Sequence, residues 1–177
     1  KIAEGGMGVV YKAIDAESRR VVAVKTLKDS VDRQGETFLR FKKEAELLES
    51  LDHPNVLKFI DFQEKEGRVY IVTEYVQGKN LKELIKEKSL SVKDKAEIIR
   101  QIADALDYVH SGGIIHRDIK PSNVMVTEDF QVKILDFGVA NLMNFQKLFS
   151  SREGVVGSFA YMSPEQAAGN LRSVDER

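Results

Sequence analysis

The segment from His116 to Asn123 reads HRDIKPSN and places an acid, a lysine and an amide at fixed offsets. Asp118 can accept a proton from a hydroxyl, Lys120 can neutralise a phosphoryl group in transfer, and Asn123 can hold a divalent cation. Six specified residue types at these offsets arise by chance at roughly 10⁻⁸ per start position, taking ~1/20 for each type. The alternative is a polar turn with Pro121 as its breaker, and the rest of the chain has to decide between the two.

The composition is that of an ordinary globular protein, with 42% hydrophobic and 31% charged residues in a length that fits one domain or two small lobes. A net charge of −1 argues against nucleic-acid binding, which needs a basic surface. The chain has no cysteine, so disulfides and thiolate metal sites are excluded. No apolar run approaches the ~20 residues of a membrane span, so we expect no membrane contact within this segment.

The first part of the chain, up to about residue 75, is predicted to consist mostly of strands. Val21–Lys25 and Val69–Tyr75 are short runs rich in β-branched and aromatic residues. A helix is predicted between them, from about Glu36 to Leu51, and Val76–Lys79 then forms a short connector.

The second part is predicted to be mainly helical. Asn80 and Glu83 resemble a capping box for a short helix, and Ser91 is a good N-cap for a longer one. The longer helix has an apolar face made of Ile98, Ile102, Ala105 and Val109. Ser163 followed by Pro164 marks the start of a late helix. The pattern therefore predicts a β-rich lobe, a connector and a helical lobe.

A glycine-rich turn near the start of the chain contains Gly5, Gly6 and Gly8 between two predicted strands. Such glycines let backbone N–H groups approach a polyphosphate closely. A tight hairpin without a ligand is the alternative. The turn is not a Walker A loop, because no Gly-Lys-Ser/Thr sequence follows it.

Glu44 falls inside the apolar arc of the predicted helix 36–51 when residues are placed at 100° intervals. A carboxylate on a buried face needs a cationic or hydrogen-bonding partner. Arg40, one turn earlier, is the local candidate, and Lys25, at the end of an apolar strand, is the long-range one. A Lys25–Glu44 pair would aim the ammonium at phosphate oxygens.

Asp136 follows an apolar strand and lies a short hairpin after Asn123. Both side chains offer oxygen ligands, as hard Mg²⁺ requires, so they could hold one metal ion near one phosphate chain. The alternative for Asp136 is a strand-terminating turn. No His/Cys cluster offers a zinc site.

These segments, in this order, resemble the protein kinase domain over essentially the whole chain. The sequences of residues 4–13 and 163–167 are similar to the corresponding segments of bacterial Ser/Thr kinases of the eukaryotic type. The resemblance implies an α+β, bilobal fold, with an antiparallel β N-lobe and one helix over residues 1–75 and a hinge over 76–79. Residues 80–177 would be the first part of a mainly helical C-lobe. Because the family's later helices would be missing, we expect this polypeptide alone to be inactive.

The resemblance also implies ATP and Mg²⁺ as cofactors, with Mn²⁺ as an alternative ion. It places around ATP the phosphate-covering Gly5, Gly6 and Gly8, the adenine-enclosing Val10, Ala23 and Met125, the gatekeeper Thr73, the hinge residues Glu74 and Val76, and Lys25. It assigns catalysis to Asp118 as base, Lys120 at the γ-phosphate, Lys25 at the α- and β-phosphates and Glu44 as the partner of Lys25, with Asn123 and Asp136 as metal ligands. Lys120 is typical of Ser/Thr rather than Tyr kinases, so the expected substrates are proteins with Ser/Thr hydroxyls.

The resemblance also implies regulation by phosphate, because in this family an arginine directly before the catalytic aspartate, here Arg117, usually accompanies activation by a phosphate on the loop. Without that anion, the arginine cluster that binds it would repel itself. Ser150 and Ser151 are the candidates for autophosphorylation, which self-association would allow in trans; the alternative is that both are only solvated. Ser158 keeps a hydroxyl where the family usually has Thr. A kinase domain of this type is expected in the cytoplasm, and a membrane anchor elsewhere in the full-length protein is left open.

Two other functions fit parts of the pattern. A small-molecule kinase on a related fold is disfavoured by the segment 157–165, which shapes a peptide site in protein kinases. A pseudokinase scaffold would need a lesion at Lys25, Asp118, Asn123 or Asp136, and the sequence has none.

Overall fold

The computed structural model describes residues 1–5, 8–29, 31–32, 35–87, 90–137, 159–168, 170 and 174–176. Four residues named above for ATP binding or regulation lie outside these ranges, namely Gly6, Ser150, Ser151 and Ser158.

The first part of the chain forms an antiparallel sheet of five strands, in the order β1-β2-β3-β5-β4. The strands are β1 (Ala3–Glu4), β2 (Gly8–Ile14), β3 (Val21–Leu27), β4 (Phe59–Lys65) and β5 (Arg68–Glu74). The two strands predicted from β-branched runs, β3 and β5, are confirmed with ends shifted by one or two residues.

Helix α1 (Glu36–Glu49) packs against this sheet. Phe41, Ala45 and Leu48 form its buried face, and they share a hydrophobic core with Ile71 of β5. The helix ends two residues before the predicted Leu51, and the N–H of Ser50 bonds to the carbonyls of its last turn.

The second part combines helices with a smaller antiparallel sheet in the order β6-β7-β8. Its elements are β6 (Gly78–Asn80), α2 (Leu81–Glu87), α3 (Val92–Ser111), a 3₁₀ turn (Pro121–Asn123), β7 (Val124–Thr127), β8 (Val132–Ile134), a second 3₁₀ turn (Phe159–Tyr161) and α4 (Pro164–Ala167). Within the described residues, no helix is both long enough and apolar enough to cross a membrane.

The structure places Gly78 and Lys79, which we expected in the connector, in strand β6. Gly78 lies opposite Thr127, and a Cβ on Gly78 would be 2.3 Å from the carbonyl oxygen of Val126. This close approach of two backbones explains why the strand begins with glycine.

The predicted helix starts are confirmed by their hydrogen bonds. Glu83 N–H donates to Asn80 Oδ1 (2.9 Å), and Asp94 N–H donates to Ser91 Oγ (3.1 Å). Ser163 caps α4 with Pro164 in the first turn. The apolar face predicted for α3 is buried, with Ile98, Ala105 and Val109 almost fully enclosed.

The loop after α1 joins the two parts through the backbone. Ile134 N–H donates to the carbonyl of Asn55 (2.8 Å), and Leu57 N–H donates to the carbonyl of Ile134 (3.0 Å). The side chain of Asn55 also donates to Gln101 Oε1 on α3 (2.8 Å). The segment that leads to Asp136 is therefore fixed to both the first part and α3.

Candidate active site

A cavity of about 430 Å³ opens between the two sheets. The predicted site residues that line it are Val10, Ala23, Lys25, Glu44, Thr73, Glu74, Val76, Met125 and Asp136. The structure thus brings the expected adenine-enclosing and hinge residues together with Lys25, Glu44 and Asp136 around one space.

The glycine-rich hairpin borders this cavity through Ile2, Ala3 and Val10, whereas Gly5 and Gly8 do not line it. The N–H of Gly5 donates to the carbonyl of Gly8 (2.9 Å) and closes the turn. Gly8 lines a separate small cleft together with Lys25 and Glu44.

Lys25 contacts two carboxylates. Its Nζ lies 2.5 Å from Oε1 of Glu44 and 3.1 Å from Oδ1 of Asp136. Burial opposes the charge of Lys25, but Asp136 and Glu44 outweigh it and hold the pKa of this ammonium above its ordinary value. Burial and the charge of Asp136 raise the pKa of the Glu44 carboxyl, and the ammonium of Lys25, which lowers it, offsets them only in part. Nζ of Lys25 contacts this carboxyl directly.

Asp136 differs from Glu44 in its exposure, since 59% of its side chain is accessible against 12% for Glu44. The exposed fraction of the Lys25 side chain, 30%, is intermediate between those of the two carboxylates. The ammonium is therefore anchored from the buried side by Glu44, and its other partner, Asp136, lines the cavity.

Asp118 is held by two side chains of its own loop. Lys120 Nζ donates to Asp118 Oδ2 (2.7 Å), and Asn123 Nδ2 donates to the same oxygen (2.9 Å) and to the Asp118 carbonyl (3.0 Å). These three residues do not line the cavity, but their neighbour Ser122 does. Leu135 N–H donates to the carbonyl of Asn123 (2.8 Å), which ties this loop to the residue before Asp136.

His116 is almost fully buried, at 1% exposed, and it contacts the backbone of the Asp118 loop. Its Nδ1 accepts from the N–H of Asp118 (3.2 Å), and its Nε2 lies 3.0 Å from the carbonyl of Leu135. A neutral ring with its proton on Nε2 satisfies both contacts. Burial lowers the pKa of His116, although the Leu135 carbonyl opposes this shift. The ring also packs on Phe137, with ring centroids 4.7 Å apart.

Two residues of the site have a left-handed backbone, with φ +62° at Arg117 and +46° at Asp136. For residues other than glycine this conformation costs on the order of 1–3 kcal/mol each and is concentrated at functional sites. Nε of Arg117 is buried and has no hydrogen-bond partner within the described part of the chain.

The comparison with known families agrees with this geometry, because residues 1–175 match the family described as the protein kinase domain. The chain belongs to the protein kinase family. The sheet with α1, the cavity and the Asp118 loop are therefore parts of a kinase domain.

This kinase domain is similar to several bacterial proteins. A probable serine/threonine-protein kinase of Clostridium perfringens is 46% identical over 95% of the chain. The serine/threonine-protein kinases PrkC of Bacillus subtilis and PknB of Mycobacterium tuberculosis are 40% and 38% identical over 96% and 98% of it. The chain spans only 24%, 26% and 28% of the lengths of these three relatives.

Sequence reasoning missed several residues that shape the site of this kinase domain. Lys133 Nζ lies 2.6 Å from Oε1 of Glu74, and the same oxygen accepts from the N–H of Lys58 (2.8 Å). Gln166 Nε2 donates to the carbonyl of Arg117 (2.8 Å). These three contacts join separate segments through polar side chains that carry no periodic signal. The capping position of Gln166, three residues after Ser163, is the one feature that could have pointed to it.

Proposed function

We propose that this chain is the catalytic part of an ATP-dependent protein serine/threonine kinase. The proposal is carried by the arrangement of two clusters, Lys25 with Glu44 and Asp136, and Asp118 with Lys120 and Asn123. The first lines the cavity and the second lies beside it. The relatives named serine/threonine-protein kinases support the same activity.

In the proposed reaction, the oxygen of a substrate Ser or Thr hydroxyl forms a bond to the γ-phosphorus of ATP. The bond from that phosphorus to the bridging oxygen breaks, and ADP leaves. Asp118 takes the hydroxyl proton, and its position is held by Asn123. Lys120, 2.7 Å from Asp118, would place a positive charge beside the phosphoryl group in transfer and neutralise its oxygens.

The nucleotide would occupy the cavity between the sheets. Val10 and Ala23 of the first sheet and Met125 of β7 offer apolar surface on opposite sides of this space. Glu74 and Val76 line this space at the connector. The N–H of Glu74 already donates to the carbonyl of Lys58 (3.0 Å), so the carbonyl of Glu74 and the backbone of Val76 would bind the adenine edge. Lys25 would bind the α- and β-phosphates, and Glu44 would keep its ammonium at the cavity wall.

Asn123 and Asp136 fit a hard divalent cation such as Mg²⁺ or Mn²⁺. Because Nδ2 of Asn123 donates to Asp118, Oδ1 is the atom of Asn123 that would face a cation. The exposed carboxylate of Asp136 provides a second hard oxygen ligand. When bound, such an ion supplies positive charge that neutralises the phosphates.

We also propose a division into two lobes around the cavity, with residues 1–75 as the N-lobe, 76–79 as the hinge and 80–177 as part of the C-lobe. The five-stranded sheet and α1 all precede residue 75, which supports this division.

Regulation by autophosphorylation of Ser150 or Ser151 is part of the proposal. The buried Nε of Arg117, which has no hydrogen-bond partner in the described ranges, supports an anion binding nearby. Replacing both serines by alanine in the full-length protein should lower activity, and mass spectrometry should find phosphate on the loop of the unaltered protein. Full activity of the double variant without any loop phosphate would contradict this part. A second-order dependence of autophosphorylation on protein concentration would identify reaction in trans.

The direct test measures transfer of labelled γ-phosphate from Mg·ATP to a generic protein by the full-length enzyme. Asp118→Asn should abolish transfer but leave nucleotide binding intact, because Asp118 does not line the cavity. Phosphoamino-acid analysis should find phosphoserine or phosphothreonine. A full-length protein that binds ATP but transfers no phosphate would favour a scaffold instead, and phosphorylation of small molecules alone would favour a small-molecule kinase.

A further inference from the structure

Gln166 connects helix α4 to the Asp118 loop. The residue is only 6% exposed, and its Nε2 donates to the carbonyl of Arg117 (2.8 Å) across 49 positions of sequence. Its Oε1 accepts from the N–H of Ser163 (3.0 Å) as part of the capping box of α4. Capping accounts for the oxygen of this amide but not for its nitrogen, which acts on another segment.

The carbonyl that Gln166 contacts belongs to the peptide bond between Arg117 and Asp118. The N–H of this same peptide bond donates to Nδ1 of His116 (3.2 Å). A peptide unit is planar, so fixing both its oxygen and its nitrogen fixes the orientation of the whole plane. Cα of Asp118 lies in this plane, so the orientation of the plane sets where the Asp118 side chain begins. The left-handed φ of +62° at Arg117 is strained, and the hydrogen bonds from Gln166 and to His116 hold it in place.

We infer that Gln166 is a positioning residue that sets the direction of the Asp118 side chain by holding the Arg117–Asp118 peptide plane. The inference rests on the proposed role of Asp118 as the base. It makes the placement of α4 a determinant of how well Asp118 faces a substrate hydroxyl, although Gln166 itself contacts no reacting atom.

Two variants of the full-length protein separate this role from simple capping. Gln166→Glu keeps an oxygen acceptor for Ser163 but removes the N–H that reaches Arg117. Gln166→Met removes both hydrogen bonds and keeps the length of the side chain. The matched controls are the same two changes at Gln63, whose amide is exposed on β4 and contacts Asp61.

We expect both Gln166 variants to lower kcat by about 10- to 100-fold, because misplacing a catalytic group by about 1 Å has a cost of this order. The KM for ATP should stay within about twofold, since Gln166 does not line the nucleotide cavity. The Gln63 variants should leave both constants unchanged. Unchanged kcat in Gln166→Glu, or a parallel rise of KM, would overturn the inference.

Hydrogen–deuterium exchange provides a readout that does not depend on activity. Peptides covering residues 116–119 should exchange faster in both Gln166 variants, whereas peptides from α3 should not change. Unchanged exchange at 116–119, or faster exchange throughout α3 as well, would overturn the positioning role. If the unaltered protein transfers no phosphate, the proposed function fails, and exchange at 116–119 still decides the role of Gln166. Should Gln166→Met fail to fold, Gln166→Glu decides alone.

Discussion

Nζ of Lys25 lies 2.5 Å from Oε1 of Glu44, and this ion pair joins strand β3 to helix α1. Arg40, the local alternative partner of Glu44, instead pairs with Glu36 (3.0 Å). Because Lys25 also contacts Asp136, one ammonium links the first sheet, α1 and the segment after β8. The position of α1 therefore determines where the ammonium group of Lys25 lies in the cavity wall.

Glu44→Gln tests this relationship. We expect kcat/KM for ATP to fall by about 10- to 100-fold, because the ammonium of Lys25 loses the partner that anchors it from the buried side. Steady-state kinetics of the full-length protein measure the effect. The control is Glu46→Gln, an exposed position on the same helix, which should retain activity. Equal kinetics in the two variants would show that the pair has no part in catalysis.

Asp136→Asn should raise the Mg²⁺ concentration needed for half-maximal activity by about tenfold or more, because a charged oxygen ligand is replaced by a neutral one. The measurement is the initial rate against free Mg²⁺, and then Mn²⁺, at a fixed ATP concentration. Glu128→Gln, on the exposed β7–β8 turn, removes one negative charge elsewhere and serves as the control. An unaltered metal dependence in Asp136→Asn would argue against this residue as a ligand.

Gln101→Leu should lower the free energy of unfolding by about 1–3 kcal/mol, because buried polar groups lose their partners. Oε1 of Gln101 accepts from Asn55 Nδ2 (2.8 Å) and Val132 N–H (2.9 Å), and its Nε2 donates to the carbonyl of Phe130 (2.9 Å). Urea denaturation provides the measurement, with Gln63→Leu as an exposed control. A loss no larger than that of the control would mean that these hydrogen bonds are energetically neutral.

Acidification should destabilise the fold through His116. Burial holds the pKa of His116 below its ordinary value of 6.5, so the unfolded state binds more protons between the lowered pKa and about 6.5. The contribution of His116 to stability is therefore complete above about pH 6.5 and declines as the pH falls below it. His116→Phe removes this titration, so its unfolding free energy should fall less between pH 7 and 5.5. Parallel pH profiles for the two proteins would exclude this origin.

Gly78→Ala should destabilise the protein by about 1–3 kcal/mol, since its Cβ would meet a backbone oxygen 2.3 Å away that belongs to Val126. Gly5→Ala is the matched control for stability, because nothing lies within 4 Å of a Cβ built there. Thermal unfolding of both variants measures the difference. Similar melting temperatures would show that β6 and β7 can separate without cost.

Elements with a local signal could be predicted from the sequence. Ser91 and Asn80 mark helix starts through contacts within three residues, and β3 and β5 follow from their β-branched runs. The carboxylate of Glu44 on an apolar helix face predicted a buried partner, and the structure selects Lys25 over Arg40.

Contacts between distant polar side chains could not be predicted in this way. Gln166 and Arg117 are 49 positions apart, and Lys133 reaches Glu74 across the connector. No periodicity relates such pairs, because each depends on how two complete elements are placed in space. The pairing of β6 with β7 was missed for a different reason, since three residues are too few for a strand pattern.

Strand β5 ends at Glu74 and β6 begins at Gly78, so residues 75–77 are the whole tether between the two sheets at this edge. Three residues reach about 10 Å at full extension, and the backbone on either side is locked into a ladder. A tether of this length keeps the two sheets within about 10 Å of each other at this edge, so the cavity cannot widen on this side by more than these three residues allow.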